Sequence, residues 1–132
     1  MFQIDHVSIS VKNISQSIAF YATLGFKTAN SYTKNDGSLR IHTLKDKSGV
    51  MLELINYTSY KPAPAHTHNL NTDLNVIGIK HFGLRVISVT EALKKLRNKG
   101  FIPHTRIMKG RLGRDYFFIK DPNGILLEII QA

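Results

Sequence analysis

The chain repeats itself. Sliding the sequence by 75 positions lays Ile4-Asp5-His6-Val7 on Ile79-Lys80-His81-Phe82, and Leu24-Gly25-Phe26 on Lys99-Gly100-Phe101. With no gap, the same shift lays Lys-Asp-Lys-Ser-Gly-Val-Met-Leu-Glu-Leu-Ile at 45–55 on Lys-Asp-Pro-Asn-Gly-Ile-Leu-Leu-Glu-Ile-Ile at 120–130. Identities fall at 12 of the 52 aligned positions, and the apolar positions, turn glycines and odd polar residues coincide as well. A unit of this size buries too little core to stand alone, so it is expected to pack on its sister or on a second chain. The 132 residues read as one domain made of module 1 (4–55), a linker (56–78) and module 2 (79–130).

Each module has the same order of elements. Residues 4–11 alternate, with Val7, Ile9 and Val11 on one face and His6, Ser8 and Ser10 on the other, which predicts a half-buried strand. A helix follows, capped by Asn13 or Ser15, striped by Ile14, Ile18, Tyr21 and Ala22, and stopped by Gly25. Module 2 repeats this with Ser88 or Thr90 as cap, Val89, Leu93 and Leu96 as stripe and Gly100 as stop. Strands are then predicted at 26–32, 38–45 and 50–55, and at 101–108, 115–120 and 125–130, separated by turns at Asn35-Asp36-Gly37, Lys47-Ser48-Gly49 and 121–124. The fold class is α+β, with two tandem βαβββ modules. The linker has two prolines, many Asn and Thr, and no period; it reads as a loop crossing between modules or reaching a partner subunit.

Composition closes off several classes of function. There is no cysteine, which removes disulfides, zinc fingers, iron–sulfur clusters and thiol nucleophiles together. The runs 49–55 and 124–130 are interrupted by Glu and too short to span a bilayer. The first residues carry no signal-peptide pattern, so a cytoplasmic protein is the expectation. The net charge of +9 invites a nucleic-acid reading, but the excess lies in residues 79–132, with eleven Lys/Arg against four Asp/Glu, and no reading motif accompanies it. A small anionic substrate is the better match.

Four residues carry the chemistry. Glu53 stands in Val-Met-Leu-Glu-Leu-Ile and Glu128 in Ile-Leu-Leu-Glu-Ile-Ile, and an ionised carboxylate among aliphatics is costly unless paired or bound to a cation. Both occupy the same repeat position, and His6 and His81 open the first strand of each module. Imidazole and carboxylate suit a divalent first-row metal, and a His2Glu2 set leaves octahedral positions open to water or substrate. The competing structural reading has His6 and His81 as hydrogen-bonded core residues and the glutamates paired with Lys or Arg. His66 and His68 in the linker read either as a metal pair or as two solvated loop histidines.

The Asp-His-Val-Ser-Ile-Ser-Val opening at 5–11, the Ile-Lys-His-Phe-Gly-Leu-Arg-Val restart at 79–86 and the Asp-Pro-Asn-Gly-Ile-Leu-Leu-Glu-Ile ending at 121–129 resemble the vicinal oxygen chelate superfamily. It contains glyoxalase I, bleomycin-resistance proteins, extradiol dioxygenases, methylmalonyl-CoA epimerase and fosfomycin-modifying enzymes. The resemblance covers nearly the whole chain and is closest to small bacterial glyoxalase I-like proteins. It implies a curved, mostly antiparallel sheet cup, a homodimer, and His6, Glu53, His81 and Glu128 as ligands of Ni2+ or Zn2+, with Fe2+ or Mn2+ as alternatives. Epimerases usually have Gln where Glu53 stands, extradiol dioxygenases use two His and one Glu, and bleomycin-binding members generally lack the set.

The reaction so implied is proton transfer beside a carbonyl. The metal polarises a hemithioacetal and stabilises an enediolate, while a glutamate moves the C1 proton to C2. Glu128 is the expected base, with Glu53 as its symmetric counterpart. Where the matched bacterial enzymes place an Arg and an Asn for glutathione, this chain has Ser10 and Tyr57. Arg85, Arg106, Lys109, Arg111 and Arg114 are the candidate substrate-binding cations, for a small anionic or thiol-conjugated molecule. Met108-Lys109-Gly110 resembles a mobile loop of glyoxalase I. Another metalloenzyme of the superfamily, or a binding or resistance protein without turnover, stays open as an alternative.

Overall fold

The computed structural model describes residues 1–132 and divides into two compact units, Met1–Pro62 and Ala63–Ala132. Unit 1 contains β1 (His6–Ser10), α1 (Ile14–Thr23), β2 (Lys27–Thr33), β3 (Leu39–Lys45) and β4 (Met51–Tyr57). Its four strands lie in the order β1-β4-β3-β2, with β1 parallel to β4 and the other neighbours antiparallel. Neighbouring parallel strands cannot be joined by a tight turn, and α1 lies in the long connection between these two. Asn13 caps α1 by accepting the Gln16 N–H at 2.9 Å, and the chain leaves it through Gly25 at φ +100°, a left-handed conformation that favours glycine.

Unit 2 repeats the plan with β5 (Phe82–Val86), α3 (Val89–Asn98), β6 (Met108–Lys109), β7 (Asp115–Lys120) and β8 (Leu126–Gln131), in the order β5-β8-β7-β6. Ser88 is the cap of α3, and Val89, Leu93 and Leu96 are its buried stripe, as the spacing predicts. Each four-stranded sheet is mixed, and each packs one face on its helix. In unit 1 that core is Ile14, Tyr21, Phe26, Leu44, Leu52 and Leu54; in unit 2 the buried Phe117, Ile119, Leu127 and Ile129 take the same part.

The structure corrects three sequence expectations. The strand predicted at 101–108 shrinks to Met108–Lys109. Pro103 has no N–H to give a ladder, and the segment is fastened irregularly, with the N–H groups of both His104 and Thr105 directed at the Phe118 carbonyl. On α1 the buried face is Ile14, Ser17 and Tyr21, leaving Ala22 exposed. The linker is not a bare loop. It holds a 3-10 turn at Ala65–His68 and a one-turn helix, α2 (Leu70–Asp73), whose buried Asp73 receives Lys80 Nζ at 2.9 Å.

The turns that precede β4 and β8 share one device. Asp121 Oδ1 accepts the N–H groups of Asn123 at 2.7 Å and Ile125 at 2.9 Å, and Asp46 Oδ1 accepts those of Ser48 at 2.9 Å and Val50 at 3.0 Å. Partial burial opposes ionisation of Asp46, but the Ser48 hydroxyl and the N–H groups of Ser48, Val50 and Gly49 outweigh it and hold the carboxyl below its usual range. Asp121 is buried, so Asp121→Ala strands its donors and is expected to cost about 2–3 kcal/mol in a urea unfolding measurement. No helix is long and apolar enough to cross a membrane.

Candidate functional site

Alternation along β4 turns Leu52 and Leu54 toward α1 and puts Met51, Glu53 and Ile55 on the opposite, helix-free face. Residues paired across a ladder share a face, so the register β1–β4 places Ser8 beside Glu53 and His6 beside Met51. The row continues through Thr43 on β3 to Asn30 on β2. Glu53 therefore lies in a polar row of Ser8, Glu53, Thr43 and Asn30. The Ser8 hydroxyl donates to Glu53 Oε1 at 2.5 Å, a short charge-assisted hydrogen bond.

His6 is half-exposed, and its Nδ1 lies 2.8 Å from Asp5 Oδ2. That hydrogen bond is the main reason the imidazole pKa is raised; slight burial opposes it, and the charges of Asp5 and Glu53 add to it. With Nδ1–H committed to Asp5, the neutral ring presents its lone pair on Nε2, the tautomer a metal ligand needs.

Unit 2 carries the second pair on the corresponding face. β8 directs Leu127 and Ile129 toward α3 and Glu128 away from it, with Gly83 opposite on β5 and Phe118 opposite on β7. Glu128 Oε2 lies 3.5 Å from His81 Nε2, and both side chains are about three-quarters buried, 20% and 25% exposed. The His81 ring meets Phe118 edge to face at 5.0 Å, and its Nδ1 is buried without a hydrogen-bond partner. Neither glutamate is paired with a lysine or arginine, as the competing structural reading would need.

Of the four sequence candidates, His81 and Glu128 meet in unit 2, while in unit 1 His6 and Glu53 share a sheet face but are held by other partners, Asp5 and Ser8. Within either unit no three His, Asp or Glu side chains gather closely enough to hold a metal ion. Each unit offers one imidazole and one carboxylate, donors whose chemistry suits a divalent cation, with His6 oriented by Asp5 and His81 carrying a buried orphan nitrogen. In the linker, His66 Nε2 faces Asp73 Oδ1 at 3.6 Å, and the His68 carbonyl accepts from Lys120 Nζ at 2.9 Å.

The basic candidates separate by surroundings. Arg85 is opposite Ile130, on the Glu128 face of its sheet. Lys109 is paired with Asp115 at 2.6 Å, and Arg114 Nε donates to the Gln131 carbonyl at 2.7 Å. Arg106 and Arg111 are exposed. Residues 108–116 form a tight hairpin, closed by Gly110 N–H on the Arg114 carbonyl at 2.8 Å. Ser8 and Asp5 are the site residues that the sequence reading missed; the period of β1 already put Ser8 on the face of His6.

A doubled βαβββ chain with a histidine at the start of each module and a glutamate on the helix-free face of each sheet defines a class built from duplicated modules with matched polar side chains. The chain belongs to the Glyoxalase/Bleomycin resistance protein/Dioxygenase superfamily, whose family model matches residues 3–129. It is 26% identical over 138 residues to a lactoylglutathione lyase of Schizosaccharomyces pombe, covering 98% of this chain and 45% of that one, so it spans just under half the length of that relative. It is 27% identical over 150 residues to a lactoylglutathione lyase of Pseudomonas putida, covering 98% of this chain and 85% of that protein. The crystal structure of a glyoxalase family protein from Enterococcus faecalis shares the fold with a TM-score of 0.81 at 22% identity, over 97% of this chain and 96% of that chain.

Proposed function

We propose that the chain is a metal-dependent isomerase of glyoxalase I type, acting on a hemithioacetal. The observation that carries this reading is the recurrence of one histidine and one glutamate in each unit, with Asp5 orienting His6, and with His81 beside Glu128 keeping a buried nitrogen unpaired. The names of the two lactoylglutathione lyase relatives support it. His6, Glu53, His81 and Glu128 would hold a divalent cation, with Ni2+ or Zn2+ suggested by the resemblance to glyoxalase I and Fe2+ or Mn2+ as alternatives. Once bound, such an ion supplies Lewis acidity toward the oxygens of the substrate.

The remaining work falls to side chains of this protein. Glu128 takes the proton from C1 and returns it to C2. Glu53, held by Ser8, keeps its place. Arg85, on the Glu128 face, offers a cation to the anionic portion of the substrate, and the exposed Arg106 and Arg111 add to a positive field that draws it in. Phe118 and Tyr116, edge to face at 5.6 Å, give unit 2 an apolar neighbour to that chemistry.

The test is direct. Protein stripped with a chelator and reloaded with Ni2+ or Zn2+ is offered the hemithioacetal of methylglyoxal and glutathione, and thioester formation is followed by ultraviolet absorbance. Turnover is expected only in the reloaded protein. A ligand bound equally well with and without metal, and no thioester with Ni2+, Zn2+, Fe2+ or Mn2+, would assign the chain to the binding proteins of its superfamily.

A further inference from the structure

The two repeats place different residues against their glutamates. In unit 1 the residue opposite Glu53 is Ser8, whose hydroxyl grips one carboxylate oxygen at 2.5 Å. At the equivalent place in unit 2 stands Gly83, which has no side chain to offer Glu128. The rows diverge on the other side as well, since Glu53 is flanked by Thr43 and Glu128 by the aromatic ring of Phe118.

From this asymmetry we infer that Ser8 is a positioning residue that locks Glu53 as a fixed ligand, and that Gly83 leaves Glu128 the rotational freedom a proton-carrying carboxylate needs. The inference rests on the metal-site reading above. A carboxylate with Oε1 tied to a hydroxyl has one oxygen committed and a restricted rotamer, so it enters a coordination sphere preorganised. A base that takes a proton at one carbon and delivers it at the next has to shift between two positions. Glu128 has no neighbouring hydroxyl on β5 to hold it.

The glycine is not required by the backbone. Gly83 is absent from the positive-φ glycines, and a Cβ built there meets Glu128 Oε2 at 3.6 Å and Ile130 Cγ2 at 3.8 Å, ordinary contact distances. A serine therefore fits at 83 and would reproduce the Ser8 arrangement beside the other glutamate. The missing side chain is open to reversal by a single substitution.

The experiment exchanges the two residues in the full chain. Metal-free wild type, Ser8→Ala, Ser8→Thr, Gly83→Ser and His6→Ala are titrated with Ni2+ and Zn2+ by calorimetry, and the absorption spectrum of the Co2+-loaded proteins reports ligand geometry. Circular dichroism confirms folding. Ser8→Ala is expected to weaken metal binding by about 10- to 100-fold, the usual effect of removing a group that holds a ligand in place. Ser8→Thr, which keeps the hydroxyl, restores it. Gly83→Ser is expected to bind metal as wild type does while kcat on the hemithioacetal falls about 10-fold or more with KM unchanged. If Ser8→Ala binds metal like wild type, or Ser8→Thr loses as much as Ser8→Ala, the role of Ser8 is overturned. So is the role of Gly83 if Gly83→Ser turns over normally. Metal binding lost in His6→Ala but indifferent to Ser8 sinks this inference alone; a wild type that binds no divalent ion removes the metal site and this inference with it.

Discussion

Glu128→Gln is expected to lower kcat by about 10²- to 10⁴-fold, the range that a positioned general base contributes. The amide has the shape of the carboxylate and still offers an oxygen, but it cannot accept a proton from carbon at neutral pH. Because the side chain is only partly buried and its neighbour is His81 rather than a lysine or arginine, exchanging charge for amide strands no buried cation. Folding should therefore survive, and circular dichroism with a thermal melt checks it. The informative contrast is Glu53→Gln, whose amide oxygen keeps the Ser8 hydrogen bond and whose loss of turnover should be the smaller of the two. Steady-state kinetics on the reloaded proteins separate the two glutamates, which the repeat alone makes equivalent.

Much of the fold was legible because the repeat supplied two independent readings of one pattern. The period of two in β1 and β5 and the capped helix after each were visible locally, and the structure keeps Asn13 and Ser88 as caps. The strand predicted at 101–108 forms only at Met108–Lys109, because Pro103 has no ladder donor. Ser17 was missed on α1 because a serine carries no apolar signal, although it lies three residues after Ile14 and four before Tyr21 on the face turned to the sheet.

The candidate site was legible in part for the same reason. Glu53 and Glu128 stood out as carboxylates among aliphatics, and alternation explains how the strands tolerate them: the neighbouring leucines and isoleucine face the helix while the glutamate faces away. The Ser8 contact was hidden because it depends on the register between strands 45 residues apart in the chain. Asp5 was adjacent to His6 throughout, and an acid beside a candidate ligand histidine is a signal worth reading. Counting cations did not reveal that Lys109 is spent on Asp115 or that Arg114 is turned to a backbone carbonyl.

The second large effect concerns the histidines. Removing either imidazole takes away a nitrogen donor and leaves three of the four proposed donors. His6→Ala additionally abandons Asp5 at the protein surface, and His81→Ala opens a gap beside the buried face of Phe118. Each variant is expected to weaken divalent metal binding by more than about 100-fold, above the range for groups that merely orient ligands.

Metal titration of these two variants beside the wild type tests the central claim most directly, because the claim is that His6 and His81 are both metal ligands. The account predicts about one tightly bound divalent ion per chain in the wild type and its loss in His6→Ala and in His81→Ala alike. A wild type that binds no ion, or tight binding that survives both substitutions, would contradict it.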